Sequence, residues 1–283
     1  MKASSLIILN AALKGISNEH KARLLNFLPS PDRRGIESLP PAKEPLHYES
    51  FAFAWLLDFV HYSWFLPTLK TYSKKEANLF LAALGEKGKS IQKSPSTAKE
   101  ELSRVGREFL QSHLLQSLVG EKNTLLPLKY LPESELNILL TFSKKNLVLL
   151  TDYLSLYDLA AEVRQIVETK ILKKIYSFLT EDQKRFLKSV MMQKEQTAFA
   201  RMGLDRWDGD AEAFKALLHR RGLSRLGAAL SGQHPDLIWY ICHILDIGRG
   251  SALEKAAKKS LSHQAKALIV ENIMELVPLI HQT

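Results

Sequence analysis

The stretch that decides the fold begins WDGDAEAFKALLHRR (207–221) and continues as QHPDLIWYICHILDIGRGSALEKAAKK (233–259) and SHQAKALIVENIMELV (262–277). In each piece the apolar residues recur every three or four positions, which is the spacing of one face of an α-helix. The glycines between the pieces are expected to separate the helices, so this part of the chain is predicted to be one compact helical module. The predicted helices are 211–221, 235–247, 251–259 and 262–277.

Short motifs mark the predicted ends of these helices. Gly248-Arg249-Gly250 is predicted to be a helix-to-helix turn, because it lacks the Gly-Lys-Ser/Thr ending of a phosphate-binding loop and follows no predicted strand. Ser251 and Glu254 have the spacing of a capping box, which predicts that a helix begins there. Asp208 or Asp210 is predicted to cap the first helix of the module.

The helical period continues through the rest of the chain, and no convincing alternation of the kind that predicts strands is found. We therefore predict an all-α, multi-helix fold. Ser73 with Glu76, and Thr180 with Gln183, have the spacing of capping boxes before amphipathic segments. The spacing of these signals along the chain is irregular, which favours armadillo-like helical hairpins in a loose stack over a strict repeat.

Proline and glycine accumulate in three segments that are predicted to be linkers. Residues 29–45 contain Pro29, Pro31, Pro40, Pro41 and Pro45 and are predicted to form a stiff connection rather than a helix. The other two segments are 85–95, which is basic and contains serine, and 203–210. These segments divide the chain into an N-terminal helical region (1–95), a middle helical region (96–202) and the C-terminal module (203–283).

Aromatic residues are concentrated between positions 48 and 69. This cluster has two possible interpretations: it forms a docking surface, or it forms part of the core. The helical spacing of Trp55 and Phe59 favours the core, because aromatic stripes usually pack inward.

Composition limits the possible classes of protein. The chain has 283 residues, 46% of them hydrophobic, which is enough to build a folded core. No apolar run approaches the roughly 20 residues that cross a bilayer, and the run at 6–9 is shorter than the apolar part of a signal peptide. The single cysteine, Cys242, excludes an internal disulfide and fits a reducing compartment, so a cytoplasmic protein with a buried structural thiol is expected.

The chain is basic, with a formal net charge of +9 and a pI of about 9.4. Such a charge favours acidic partners, namely nucleic acid, anionic lipid or an acidic protein surface. The densest basic groups, at 173–174, 220–221 and 255–259, lie on amphipathic segments, where a solvated helix face is the ordinary explanation. No aromatic and basic signature of a nucleic-acid reader is found.

The sequence predicts no catalytic residues, no cofactor and no metal site. The His-Glu-x-x-His motif is absent, and the nine histidines are dispersed. Asp205, Asp208 and Asp210 surround a glycine as the residues of calcium loops do, but their spacing is different and no glutamate closes the loop. The expectation is therefore a protein that is not an enzyme.

A series of motifs resembles a known family. Asp210, then LGAALSG (226–232), then GRGSA (248–252) and a closing helix follow the order of the C-terminal domain of the flagellar motor-switch protein FliG. The match covers residues 208–276. Glu212 stands where the resemblance leads us to expect an arginine that faces the stator, which argues against torque generation. The resemblance therefore favours a relative in type III secretion, a FliG-like or SctK-like adaptor.

A second register competes with the first. Gln233-His234-Pro235-Asp236 resembles the Glu-His-Pro-Gln motif with which the middle domain of that family contacts the next ring protein. The two registers exclude each other, but both imply a helical repeat used in ring assembly. The residues expected to bind partner proteins are His234, Pro235, Asp236, Arg249, Lys215 and Arg220.

The resemblance implies a non-enzymatic cytoplasmic scaffold or adaptor of a type III secretion or flagellar apparatus. It would join the inner-membrane ring to a switch-like ring protein and lie at the inner membrane face through these partners, with no transmembrane segment of its own. The alternative is a helical-repeat nucleic-acid-binding protein, which the net charge alone favours. An enzyme is the third possibility and requires a polar pocket that sequence spacing does not reveal.

Overall fold

A computed structural model describes residues 1–47, 54–91, 102–120, 125–193, 201–204, 207–259 and 261–281. Within these ranges the secondary structure is helical and no strand is found. The prediction of an all-α, multi-helix fold is confirmed. The contacts divide the chain into two compact units, Met1–Glu133 (unit 1) and Ser134–Thr283 (unit 2).

Unit 1 consists of short helices. Leu13, Leu25 and Ile36 form one buried cluster, in which α1 packs against α3. A second group of contacts joins α8 to α4 and α6, where Leu114 and Phe80 are buried. The helices are α1 (Ala3–Ala12), α2 (Asn18–Leu25), α3 (Ser30–Glu37), α4 (Ala54–Phe59), α5 (Leu66–Leu69), α6 (Lys74–Ala83), α7 (Glu86–Ile91) and α8 (Arg104–Val119), with 3₁₀ turns at Tyr62–Phe65 and Leu128–Tyr130.

Local signals predicted some elements of unit 1 correctly. The capping box of Ser73 and Glu76 is present at the start of α6. The prediction that 29–45 contains no helix is wrong, because α3 begins just after Pro29. A proline in the first turn loses no helical hydrogen bond. Ile36 of α3 is buried in the cluster with Leu13 and Leu25.

The aromatic segment of unit 1 supports the core interpretation where it is described. Phe65 is buried, and the half-buried rings of Trp55 and Phe59 pack edge to face with their centroids 5.9 Å apart. Phe51 and Phe53 lie outside the described residues, as does the predicted boundary between residues 95 and 96.

Unit 2 surrounds one long helix. Helices α11, α12 and α15 all pack against α9, and residues such as Leu147, Leu150 and Leu154 are fully buried on it. Thirteen of the 20 residues of α9 are buried, which requires neighbours on several sides. The helices are α9 (Lys144–Val163), α10 (Thr169–Ser177), α11 (Glu181–Met192), α12 (Ala211–Leu230), α13 (Pro235–Ile244), α14 (Ile247–Ala257) and α15 (His263–His281), preceded by the 3₁₀ segment Glu135–Thr141.

Helix α12 is longer than predicted, because it continues through Gly222 and Gly227 to Leu230. A Cβ added at Gly222 would lie 1.8 Å from the carbonyl oxygen of Thr151 on α9. A Cβ added at Gly227 would lie 2.3 Å from the Cβ of Ala256 on α14. The prediction that glycines end this helix near residue 221 is therefore wrong. They are the positions where α9 and α14 approach the α12 backbone.

The predicted turn at Gly248-Arg249-Gly250 is also wrong, because these residues form the beginning of α14. Asp246 is the N-cap, and its carboxylate accepts a hydrogen bond from the backbone N–H of Arg249 at 3.2 Å. Aspartate is among the preferred N-cap residues. Since α14 has already begun at Ile247, the predicted capping box of Ser251 and Glu254 does not form the start of a helix.

Two further features of unit 2 bear on the sequence predictions. Cys242 is buried, and its burial raises the pKa of the thiol to about 12, so the expectation of a buried structural thiol is confirmed. The carboxylate of Glu162 at the end of α9 accepts backbone N–H groups from Met202, Gly203 and Leu204 at 2.9–3.0 Å. The predicted boundary between residues 202 and 203 therefore falls inside unit 2.

None of the helices in the described ranges combines the length and the apolar character needed to cross a membrane.

Candidate functional site

A groove with a volume of about 500 Å³ lies between α9, α11, α12 and α14. We call it the unit 2 groove. Its volume falls in the range of roughly 300–1,000 Å³ that is typical of ligand sites. Its buried lining residues include Leu179, Phe214 and Leu218. Polar side chains that line it include Asp152, Gln183, Glu212, Lys215, His219 and Arg249.

Helix caps place the polar side chains of the groove. Thr180 opens α11 with a capping box that Gln183 completes, which confirms the prediction made for this pair. Asp210 caps α12 through a 2.6 Å hydrogen bond from the backbone N–H of Ala213, as predicted for one of the two aspartates. Asp246 caps α14. These caps fix where each helix begins, and so place Lys215 one turn into α12 and Arg249 in the first turn of α14.

His219 on α12 forms hydrogen bonds to α14 and α9 through its two ring nitrogens. Its Nε2 accepts from Arg249 Nε at 2.9 Å, and its Nδ1 lies 3.3 Å from Asp152 Oδ1. A guanidinium N–H can only donate, so Nε2 must carry a lone pair. The proton of the neutral ring is therefore on Nδ1, where it donates to Asp152.

The second partner of Arg249 is Asp246. Arg249 Nη1 donates to Asp246 Oδ2 at 2.5 Å, and Lys144 Nζ lies 3.2 Å from the same oxygen. Burial raises the pKa of Asp246, but hydrogen bonds from the side chain and backbone of Arg249 and from Lys144 outweigh it and lower this pKa to about 2. Asp246 is therefore charged at neutral pH and holds the guanidinium in place.

This arrangement is suited to binding rather than to acid and base catalysis. A general base needs an accessible lone pair, but the lone pair of His219 already accepts from Arg249. The nearby Ser155 is buried, and its hydroxyl donates to the backbone carbonyl of Asp152. Among the described residues, no group of three or more His, Cys, Asp or Glu side chains is placed to hold a metal ion.

The structure brings two of the six predicted partner-binding residues together. Lys215 and Arg249 both line the unit 2 groove. Lys215 is exposed and pairs with Glu212 at 3.0 Å, while Arg249 is about one-third exposed. Arg220 is exposed on the same helix as Lys215 but does not belong to the residues that line the groove.

The other three predicted residues form the start of α13. His234 is the N-cap, and its Nδ1 accepts the backbone N–H of Asp236 at 3.2 Å. Pro235 follows in the first turn and is exposed. Asp236 is only 4% exposed and the His234 side chain 11%, so little of either side chain is accessible. The physical reason is local, since these residues begin a helix that is buried along most of its length.

The pairing of Asp152 with His219 was not predicted from the sequence. The two residues are separated by 67 positions and lie on α9 and α12, so no sequence spacing connects them. The only available signal was the position of His219 on the polar side of a predicted amphipathic helix. Its partner becomes apparent only from the packing of α12 against α9.

Comparison of this chain with protein-family models, with curated proteins and with solved structures finds no match. By its fold and its site, the chain is an all-α protein whose second unit carries a groove of mixed charge with an arginine fixed by two neighbours.

Proposed function

We propose that this protein is a non-enzymatic scaffold or adaptor that docks partner proteins on its helices. The observation that carries the proposal is the geometry of Arg249. Its guanidinium is held by His219 and Asp246 at the edge of a groove whose lining combines apolar and charged residues. A fixed cation at the edge of such a groove is a recognition feature, because little side-chain entropy is lost when a ligand binds.

The resemblance of residues 208–276 to FliG supports a particular setting for this scaffold. We propose a type III secretion or flagellar apparatus, in which the protein joins the inner-membrane ring to a switch-like ring protein. Its location would be cytoplasmic and peripheral at the inner membrane face, through its partners. The net charge of +9 supports attraction to acidic protein surfaces.

Affinity purification tests this proposal. The tagged protein is expressed at its native level in its own cells, and proteins that co-purify from gently solubilised membranes are identified by mass spectrometry. We expect ring components of a secretion or flagellar apparatus with the wild type and with Lys255→Gln, an exposed change on the same helix as Arg249. We expect their loss with Arg249→Gln. Absence of ring components from the wild-type sample would reject the proposed setting.

The alternative function, nucleic-acid binding, is favoured by the exposed cations of α10. Lys170 and Lys173 are exposed there, and Lys174 Nζ lies 5.6 Å from the centroid of the Trp207 ring. This alternative expects nucleic acid in the purified sample, with an affinity for oligonucleotides that falls steeply as salt rises. Nuclease-sensitive recovery of nucleic acid without any ring component would favour it over the scaffold.

A further inference from the structure

The guanidinium of Arg249 retains unused donor groups. Arginine has five N–H donors, one on Nε and two on each terminal nitrogen. His219 and Asp246 engage Nε and Nη1, and no partner for Nη2 is found among the described residues. The side chain is 37% exposed and lines the unit 2 groove. Its remaining edge is therefore accessible to a ligand in the groove.

The unengaged donors of this edge favour a ligand with an anionic acceptor. Asp246 contacts two cations, Arg249 and Lys144, so its carboxylate is already engaged. The carboxylate of Asp152 contacts the Nδ1 side of the His219 ring, and the guanidinium contacts the Nε2 side. The imidazole thus separates Asp152 from the guanidinium. A carboxylate is the acceptor that matches a planar guanidinium edge best.

The rest of the groove indicates what accompanies that carboxylate. Val148 and Phe178 are half-buried apolar residues that line it, Ala216 is exposed there, and the exposed Lys215 is paired with Glu212. A volume of about 500 Å³ accommodates several side chains of a protein segment. The ligand therefore combines an acidic side chain with neighbouring apolar ones.

We propose that the unit 2 groove binds an acidic segment of a partner protein, in which Arg249 receives the carboxylate of one Asp or Glu and apolar side chains enter the groove. This inference rests on the proposed docking function and adds the chemistry of the partner. His219 and Asp152 are positioning residues, because they act on the ligand only through the orientation of Arg249.

The experiment uses the full chain and a random 12-residue peptide library displayed on phage. Peptides that bind the wild-type protein are selected, sequenced and synthesised, and their affinity is measured by fluorescence anisotropy. Backbone amide shifts of 211–219 and 247–250 in NMR spectra report whether a peptide occupies the groove. We expect selected peptides that place Asp or Glu beside Leu, Ile or Phe.

A double-mutant cycle then tests the contact between Arg249 and the peptide. Changing the acidic residue of the peptide to its amide is expected to weaken binding to the wild type and to Lys255→Gln roughly tenfold or more. The same peptide change is expected to have little effect on Arg249→Gln. Thermal melting of each variant checks that it is folded.

The role of His219 has its own readout. His219→Gln retains a side-chain oxygen that can accept from Arg249 Nε, whereas His219→Ala does not. We expect His219→Ala to weaken peptide binding and to speed hydrogen exchange of the Arg249 Nε–H. His219→Gln should restore most of both. Equal effects of the two substitutions would reject the positioning role.

The outcomes separate the inference from the function on which it rests. Peptides that occupy the groove without needing an acidic residue, or that need it equally in Arg249→Gln, overturn the inference and leave protein docking in place. If no selected peptide shifts the groove amides, both the inference and the docking role of the groove are rejected. Oligonucleotides that shift the same amides and displace the peptides would reject a protein partner in favour of nucleic acid.

Discussion

Asp158 and Arg225 illustrate how a single pair of charges is accommodated inside unit 2. Their side chains are 5% and 4% exposed, and Arg225 Nη2 donates to Asp158 Oδ1 at 2.7 Å. The guanidinium also lies 5.5 Å from the centroid of the Tyr157 ring. Desolvation of both charges opposes the attraction between them, so the pair adds little net stability, but the loss of one partner is costly.

Replacement of Arg225 by methionine is expected to lower the free energy of unfolding by about 3–5 kcal/mol, because Asp158 is left as an uncompensated buried charge. The double variant Asp158→Leu/Arg225→Met is expected to be more stable than the single variant. Urea unfolding followed by circular dichroism measures both. A double variant as unstable as the single one would show that packing volume, rather than charge, determines the loss.

Asp246 gives a prediction about pH. Its pKa in the folded protein is about 2, against an ordinary value of 3.8. Because the unfolded chain binds the proton more readily, the stabilisation is complete above about pH 4 and is lost as the pH falls towards 2. Solvent screening of this partly exposed group reduces the effect to about 1 kcal/mol.

The matched variant for this prediction is Asp246→Asn, because asparagine is an equally good N-cap and removes only the charge. We expect the wild type to be more stable than the variant at pH 6, with a difference that shrinks between pH 4 and pH 2.5. Urea unfolding at each pH gives the difference. A constant difference over this range would contradict the assignment of the stabilisation to the charge of Asp246.

At the scale of elements, the sequence predicts what is local and misses what depends on packing. The capping boxes at Ser73 and Thr180 were predicted correctly because all their atoms belong to four consecutive residues. The continuity of α12 through Gly222 was missed, since a glycine inside a helix resembles a break unless the neighbouring backbone is known. The start of α14 was missed because Ser251 and Asp246 are both suitable caps.

Two glycines in unit 2 are expected to respond to alanine in opposite ways. Gly222→Ala places a methyl group against the backbone of α9, and we expect a loss of about 3 kcal/mol or more. Gly248→Ala lies at an exposed position in the first turn of α14, where only Asp246 Oδ1 is near, at 3.5 Å. There we expect a gain of about 0.5–1 kcal/mol from the reduced entropy of the unfolded chain.

Thermal and urea unfolding of the two glycine variants measure these changes. Gly248→Ala serves as the control, because both variants add one methyl group to a helix of the same unit. If Gly222→Ala unfolds like the wild type, α9 and α12 are not in the close contact described. If Gly248→Ala is the more damaging of the two, the position of the α14 start is wrong.

For the whole molecule, the central role of α9 was invisible in the sequence. Its position in the middle of the chain suggested that it belongs to a separate region from the C-terminal module. In the structure α9 packs against α12 and α15 and supplies Asp152 to the groove. Long-range contacts of this kind leave no pattern in one sequence, and so the place of Asp152 in the groove was not predicted.

The division of the chain gives the last prediction. A fragment of residues 134–283 contains α9 together with the helices that cover it, and we expect it to be helical and to unfold cooperatively on its own. The shorter fragment 203–283 corresponds to the module predicted from sequence, but it lacks α9. Helix α12 would then keep α14 and α15 but lose its contacts with α9, and we expect weak helicity without a sharp transition. Circular dichroism melting curves of both fragments test this prediction. A cooperative transition in 203–283 would mean that the module folds without α9, and that the contact between α12 and α9 is not required for folding.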